Sequence, residues 1–171
     1  MENGQFRRAV YPGSFNPLHN GHLDIMKRAA RVFDEIIIAV YEHPNKPQLF
    51  DVEERIGLIR ESIIREGLTN IKVASFSGLA VNYVKSVGSF VMLRGLRVFS
   101  DFEFEFRMAL ANHRLAPEIE VISFISSEET IHISSSTVRE IASLGGDVSS
   151  MVPEHVRLAL EQRYAELQAE Q

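Results

Sequence analysis

Tyr11-Pro12-Gly13-Ser14-Phe15-Asn16-Pro17-Leu18-His19-Asn20-Gly21-His22 joins two segments of different hydrophobic period. Before it, residues 6–11 are short, extended and partly apolar. After it, Leu23, Ile25, Met26, Ala29, Ala30, Val32 and Phe33 recur at helical spacing. The stretch therefore reads as the end of a strand, a loop and the start of a helix. Two prolines and two glycines give the loop an irregular path, Ser14 and Asn16 supply short polar groups, and His22 falls in the first helical turn, where backbone N–H groups lack internal partners. Such a terminus attracts phosphate. Its positive end also disfavours a protonated imidazole, so a neutral His22 with one donor nitrogen is expected. Taken alone, His19 and His22 read more readily as surface histidines beside a turn.

Working outward, strands and helices keep alternating. Residues 35–41 form a near-continuous apolar run, the pattern of a strand buried on both faces of a parallel sheet. Asp51 with Glu54 three residues on predicts a capped helix carrying Ile56, Ile59, Ile63 and Ile64 and ending near Gly67. Ile71 to Phe76 reads as a third strand, Gly78 to Gly88 as a helical unit, and Phe90 to Leu93 as a fourth, buried strand. Residues 100–115 alternate briefly as a strand would. Their length, a Ser100 cap, the spacing of Phe99, Phe102, Phe106 and Leu110, and the stop at Pro117 predict a helix, most simply a core one. Ile119 to Ile125 is the last apolar strand, Ser134 to Thr137 leads into a helix ended by Gly145-Gly146, and Pro153 opens a final helix. The pattern predicts an α/β fold with a doubly wound, Rossmann-like parallel sheet and helices on both faces. Its ligands should sit outside the carboxyl ends of the strands. One domain over residues 1–171 is expected, with the helix at about 153–168 packing on it and the last few residues frayed.

Composition narrows the function classes. With 171 residues and 45% hydrophobic content the chain has room for one real core. A net charge of −5 argues against nucleic acid held by overall charge and leaves a local basic pocket possible. The absence of cysteine excludes a disulfide scaffold, a thiolate nucleophile and a Cys-ligated metal. Six histidines, of which only His19 and His22 are closely spaced, point to no metal site in the protein. The polar start and the lack of any apolar run near about 18 residues predict neither leader nor membrane span, hence a soluble, cytoplasmic protein. Neither G-x-G-x-x-G after the first strand nor G-x-x-x-x-G-K-[ST] occurs, so a nicotinamide dehydrogenase and a Walker-type NTPase are disfavoured. Phosphates must be held by the opening loop, by the arginine pair Arg94 and Arg97, whose planar forks suit phosphate oxygens, or by Ser134-Ser135-Ser136 before a helix.

His19-Asn20-Gly21-His22 resembles the HxGH signature of the nucleotidylyltransferase superfamily, and the run from Tyr11 to Pro17 narrows the resemblance to the phosphopantetheine adenylyltransferase family. Three further motifs stand in the family's order. Arg94-Gly95-Leu96-Arg97 is followed by Asp101-Phe102-Glu103-Phe104-Glu105, as in R-G-[LI]-R and D-[FY]-E-[YF]-E. Ile133 to Ser136 matches I-S-S-S. Lys46, with Phe50 and Glu53-Glu54-Arg55 downstream, resembles the family's mobile lysine. The resemblance runs from Tyr11 to about Val156. The family often carries Thr where this chain has His19, Asp where it has Asn16, and aromatic residues near Thr130 and His132.

What the resemblance implies is adenylyl transfer from ATP to 4′-phosphopantetheine, giving dephospho-coenzyme A and pyrophosphate. His22, Lys46 and Arg97 would be catalytic. Ser14 and Phe15, the stretch Gly95 to Arg97, Glu105, and the stretch Thr130, Ile131, His132, Ile133, Ser134, Ser135 and Ser136 would meet ATP. Ser14, Lys46, Arg94, Ala80, Met108 and Asn112, with Leu79 beside them, would meet the acceptor. Magnesium would arrive on ATP. The resemblance also implies a homohexamer and feedback binding of coenzyme A, with no nucleic acid or membrane partner. Two alternatives stay open: a related nucleotidylyltransferase with another phosphate acceptor, such as glycerol phosphate or nicotinamide mononucleotide, and a nucleotide sensor that keeps the pocket without the chemistry.

Overall fold

A computed structural model describes residues 6–44 and 47–169. Five strands, β1 (Arg8–Gly13), β2 (Glu35–Tyr41), β3 (Ile71–Phe76), β4 (Val91–Leu96) and β5 (Glu120–Ile125), alternate with helices α1 (Asn20–Ala29), α2 (Val52–Arg65), α3 (Ala80–Ser86) and α4 (Phe99–Leu115), and α5 (Ser135–Ser143) and α6 (Glu154–Ala169) follow. The strands form one sheet in the order β3-β2-β1-β4-β5, every pairing parallel. β1 runs on to β2 on one side, whereas β4 pairs on its other side. The crevice between the carboxyl ends of β1 and β4 is thus the topological switch point, where such folds take their ligands.

Side chains alternate across the sheet, so each strand feeds two cores. Ala9, Tyr11, Ile36, Ile38, Val40, Val91 and Leu93 pack with Leu23, Ile25, Met26 and Ala29 of α1 and Ile56, Ile59 and Ile63 of α2. Val10, Ile37, Ala39, Phe76 and Met92 meet Val81 and Val84 of α3, with Ala116 and Ile119, on the opposite face. A third cluster joins Phe50, Ile133 and Val138 to Val156 and Leu160 of α6. Each fully buried large aliphatic contributes about 1.5–3 kcal/mol relative to exposure. At the amino ends of the strands, Glu35 accepts from Arg8 and pairs with Lys72, each at 2.5 Å, and these partners hold its carboxyl below the usual range. The carboxyl ends are left for the site.

The helical boundaries expected around Asp51 hold. Asp51 accepts from the Glu54 N–H at 2.8 Å and Glu54 accepts from the Asp51 N–H at 2.8 Å, a reciprocal cap. Three expectations are corrected. β4 extends through Leu96, so Arg94, Gly95 and Leu96 lie in the strand and not in a loop after it, because β5 continues to pair with them. α4 begins at Phe99, with Val98 at the cap position and no side-chain cap, so Ser100 is inside the helix. Nor is α4 a core helix: Phe99 is 87% exposed, and Phe102, Phe106 and Leu110 are at least half exposed. β5, at the sheet edge, leaves Ile122 and Ile125 exposed as well.

Candidate active site

The loop from Ser14 to Leu18 cannot be held by a ladder, so its backbone is held by side chains. Phe15 sits at φ 48° and the Asn16–Pro17 bond is cis. Arg55 Nη1 donates to the Ser14 carbonyl at 2.7 Å, Arg139 donates to the Asn16 carbonyl, and Ser135 Oγ donates to the Pro17 carbonyl at 2.9 Å. Asn16, 2% exposed, accepts from the Phe50 N–H at 3.1 Å through Oδ1. The sequence marked Asn16 as a polar group of the loop, Arg55 as part of the stretch after Lys46 and Ser135 as a phosphate ligand, but gave none of them this anchoring role, and Arg139 it did not mark at all. The signal that could have raised them is weak: an arginine or amide on an otherwise apolar helical or loop position.

The loop ends in a cap made by histidine. His19 is the N-cap of α1: its Nδ1 accepts from the N–H groups of Gly21 at 3.1 Å and His22 at 3.4 Å. In return the His19 N–H donates to His22 Nδ1 at 3.3 Å. With Nδ1 accepting in both rings, a neutral ring carries its proton on Nε2. The rings stack at 3.7 Å, and Phe15 packs edge-on against His22 at 4.9 Å. Glycine at position 21 leaves room for the His19 ring, from which a Cβ would stand only 3.0 Å. Burial lowers His19 to about 3, with Arg97 adding to it, and drives His22 well below its ordinary value, with His19, Arg97 and Arg94 adding to it. Neutrality of His22 was expected from the helix terminus. The larger cause is desolvation.

Across the switch point, Arg94 grips Glu105 with two hydrogen bonds, Nε to Oε2 at 2.7 Å and Nη2 to Oε1 at 2.5 Å, and its Nη1 donates to the Pro12 carbonyl at 3.3 Å. Arg97 donates Nε to Asp101 at 2.9 Å and Nη1 to the Ile133 carbonyl at 2.8 Å. Both guanidinium groups are therefore fixed from α4 before any ligand is considered. Between them Gly95 faces Ile25 of α1: a Cβ there would stand 2.5 Å from Ile25 Cδ1 and would have to push that side chain aside.

These groups enclose two adjoining cavities. The first, about 330 Å³, is polar: Ser14, Phe15 and His22 face Gly95, Arg97 and Glu105, with Ser134, Ser135 and Ser136 closing one side. The second, about 320 Å³, is mostly apolar and is lined by Tyr41, Phe76, Leu79, Ala80, Met92, Met108 and Asn112. Pro12, Gly13, Ser14 and Arg94 belong to both. The two sets of residues assigned from the sequence to ATP and to the acceptor thus fall largely on two neighbouring spaces. Tyr11 and Asp101, motif residues to which no site role was assigned from the sequence, and Ser126, which it did not mark, also line the first. Burial pushes the Tyr11 hydroxyl up.

Five expected contacts are not brought to that lining. Leu96 lies beyond it. Ile133 turns its side chain into the α6 cluster while its carbonyl accepts from Arg97, and Thr130, Ile131 and His132 lie in the turn before it, Thr130 Oγ1 paired with Ser127 at 2.9 Å. Lys46 lies outside the described residues. Among the described residues no group of three or more His, Asp or Glu side chains is arranged to hold a metal ion, and no helix is long and apolar enough to cross a membrane.

The cytidylyltransferase-like family matches residues 10–141. The chain is 54% identical over 156 residues to the phosphopantetheine adenylyltransferase of Roseiflexus sp. strain RS-1, spanning 91% of this chain and 96% of that protein. It is 51% identical over 156 residues to the phosphopantetheine adenylyltransferase of Herpetosiphon aurantiacus, with 91% and 93% covered. Among solved structures it is similar to one described as a nicotinate-nucleotide adenylyltransferase from Vibrio parahaemolyticus, with a TM-score of 0.71 at 18% identity over 91% of this chain and 99% of that one. At that identity the likeness speaks for the fold.

Proposed function

This chain belongs to the phosphopantetheine adenylyltransferase family, and from that premise we propose how its residues divide the work. The reaction is transfer of the adenylyl group of ATP to 4′-phosphopantetheine, which gives dephospho-coenzyme A and pyrophosphate. The observation that carries the assignment of sites is the pair of cavities meeting at Ser14 and Arg94. ATP takes the polar one and the pantetheine arm the apolar one, so the acceptor phosphate and the α-phosphate of ATP meet where the two join.

A phosphate monoester is largely ionised at neutral pH, so the nucleophile needs no general base. The barrier lies in aligning anions and in stabilising charge on the α-phosphate and leaving group. His22, neutral with Nδ1 already accepting from the His19 N–H, offers Nε2–H to the α-phosphate. Arg97, Ser134 and the first turn of α5, where Ser135 and Ser136 line the cavity, hold the β,γ end. Ser14 and the Nη1 edge of Arg94 orient the acceptor phosphate, and Lys46 reaches the reacting phosphates. As the acceptor oxygen bonds to the α-phosphorus, the bond to the β-phosphate bridging oxygen breaks and pyrophosphate departs.

Magnesium enters as part of the ATP substrate. The carboxylates lining the polar cavity, Asp101 and Glu105, are paired with Arg97 and Arg94, which leaves the triphosphate oxygens as its ligands. The homohexamer is what the family resemblance implies, and the exposed face of α4, where Phe99, Phe102 and Phe106 stack at 6.2 and 5.8 Å, is available for such assembly. Coenzyme A carries the same pantetheine arm and would compete at the second cavity. A cytoplasmic location and one nucleotidylyltransferase domain over the chain, α6 packed on it, complete the proposal.

His22→Ala tests the assignment. Loss of one transition-state donor costs about 10²–10³ in turnover, so kcat should fall that far while ATP binding by equilibrium dialysis changes little. Intact turnover would remove His22 from this role.

A further inference from the structure

Arg55, on α2, is 1% exposed, yet it makes no ion pair within 4.0 Å among the described residues. Its hydrogen-bond partners are three backbone carbonyls: Nη1 donates to Ser14 at 2.7 Å and Tyr41 at 3.0 Å, and Nε donates to Asp51 at 3.1 Å. Burial lowers its pKa, with Asp51 opposing. A buried cation is costly where a hydrophobe would fill the same space, and in some proteins its donors fix a conformation that packing alone does not.

What it fixes here is specific. Ser14 lines both cavities, Tyr41 ends β2 and lines the apolar one, and Asp51 caps α2. Arg55 itself lines neither cavity. The loop at Ser14 has no strand partner, and the next residue, Phe15, is in the left-handed region at φ 48°. Among the described residues that donate to that loop, Arg55 alone takes the Ser14 carbonyl, and with the same nitrogen it takes the carbonyl of a residue in the acceptor cavity.

We propose that Arg55 is a positioning residue for the acceptor: its guanidinium sets the distance between Ser14 and Tyr41, and thereby the place of the acceptor phosphate relative to ATP. The proposal rests on the assignment of the two cavities given above. A guanidinium spans three carbonyls in a plane, whereas an ammonium offers one point of charge. Arg55→Lys therefore keeps the charge and most of the volume but loses the span.

The experiment compares wild type, Arg55→Lys, Ser14→Ala and the double variant in pyrophosphate release from ATP, magnesium and 4′-phosphopantetheine, with thermal unfolding run beside it. Arg55→Lys is expected to lower kcat/KM for the acceptor about 10-fold or more while KM for ATP stays within about threefold, because a misplacement of about 1 Å relative to the reacting groups can cost on the order of 10²-fold. Since Arg55 acts through Ser14, the double variant should lose much less than the product of the two single losses. Equal changes in both substrates' KM, multiplicative losses, or a lysine variant that is unfolded at the assay temperature would each overturn the proposal and leave Arg55 as a structural staple. An inactive wild type would instead count against the assignment of function itself.

Discussion

His19 should make the stability of this protein steeply dependent on pH in a window where most proteins are flat. The perturbation is acidification from pH 7 to pH 5, with His19→Thr as the comparison. Native His19 takes up its proton only near pH 3, held down first by burial and then by Arg97, whereas in the unfolded chain the ordinary value of 6.5 applies. Between those values the unfolded state binds the extra proton and the native state does not. Stability therefore rises with pH and is lost as pH falls. Over pH 7 to 5 the loss from His19 is about 2 kcal/mol, at about 1.4 kcal/mol per unit once the unfolded histidine is protonated. His22, also driven down mainly by burial, adds a loss of the same sign. Threonine can keep an acceptor at the cap but does not titrate. Urea unfolding at pH 7, 6 and 5 should therefore show proton uptake on unfolding lower by about one in His19→Thr than in wild type near pH 5. Comparing the two proteins cancels the carboxylates common to both. Identical slopes would mean that His19 titrates alike in both states, and the buried reciprocal cap would be refuted.

Two further outcomes follow from close packing at the site. Gly95→Ala places a methyl group 2.5 Å from Ile25 Cδ1, the tip of a rotatable side chain that can swing aside, so the loss should lie at the low end of the about 1–3 kcal/mol that overpacking costs; adding Ile25→Val, which removes that Cδ1, should return part of the loss in a denaturant titration, and simple additivity would show that the clash is not the cause. Asn16→Ala leaves the Phe50 N–H without its acceptor at a buried position, a loss of about 1–3 kcal/mol, whereas Asn16→Asp retains an acceptor and should unfold closer to wild type at pH 7.

The fold was legible where the hydrophobic period was strong. The run from Glu35 to Tyr41 and the segment from Ile71 to Phe76 are strands over those same residues, and Asp51 with Glu54 marked the start of α2. Legibility failed where the partner is distant in sequence. Arg94 and Gly95 read as a loop because glycine and charge interrupt the apolar run, yet pairing with Ser123 and Phe124 of β5 keeps them in the sheet. α4 read as core because its aromatic spacing shows an apolar face without showing what covers it. The chemistry-bearing motifs could be read as short local strings, and the structure gathers most of them around one switch point. The grip of Arg94 on Glu105 and of Arg55 on Ser14 spans 11 and 41 residues, and no local string encodes it. Thr130, Ile131 and His132 were given to ATP by the family resemblance, and the structure sets them in the turn before Ile133, next to the cavity lining and not in it.

The most direct test is pyrophosphate release from ATP and magnesium with 4′-phosphopantetheine, glycerol phosphate and nicotinamide mononucleotide offered separately. The apolar cavity beside Ser14 and Arg94 predicts rapid release with 4′-phosphopantetheine and little with the other two. Preference for either of the others would contradict the acceptor, and binding of ATP without release on any of them would contradict the enzyme.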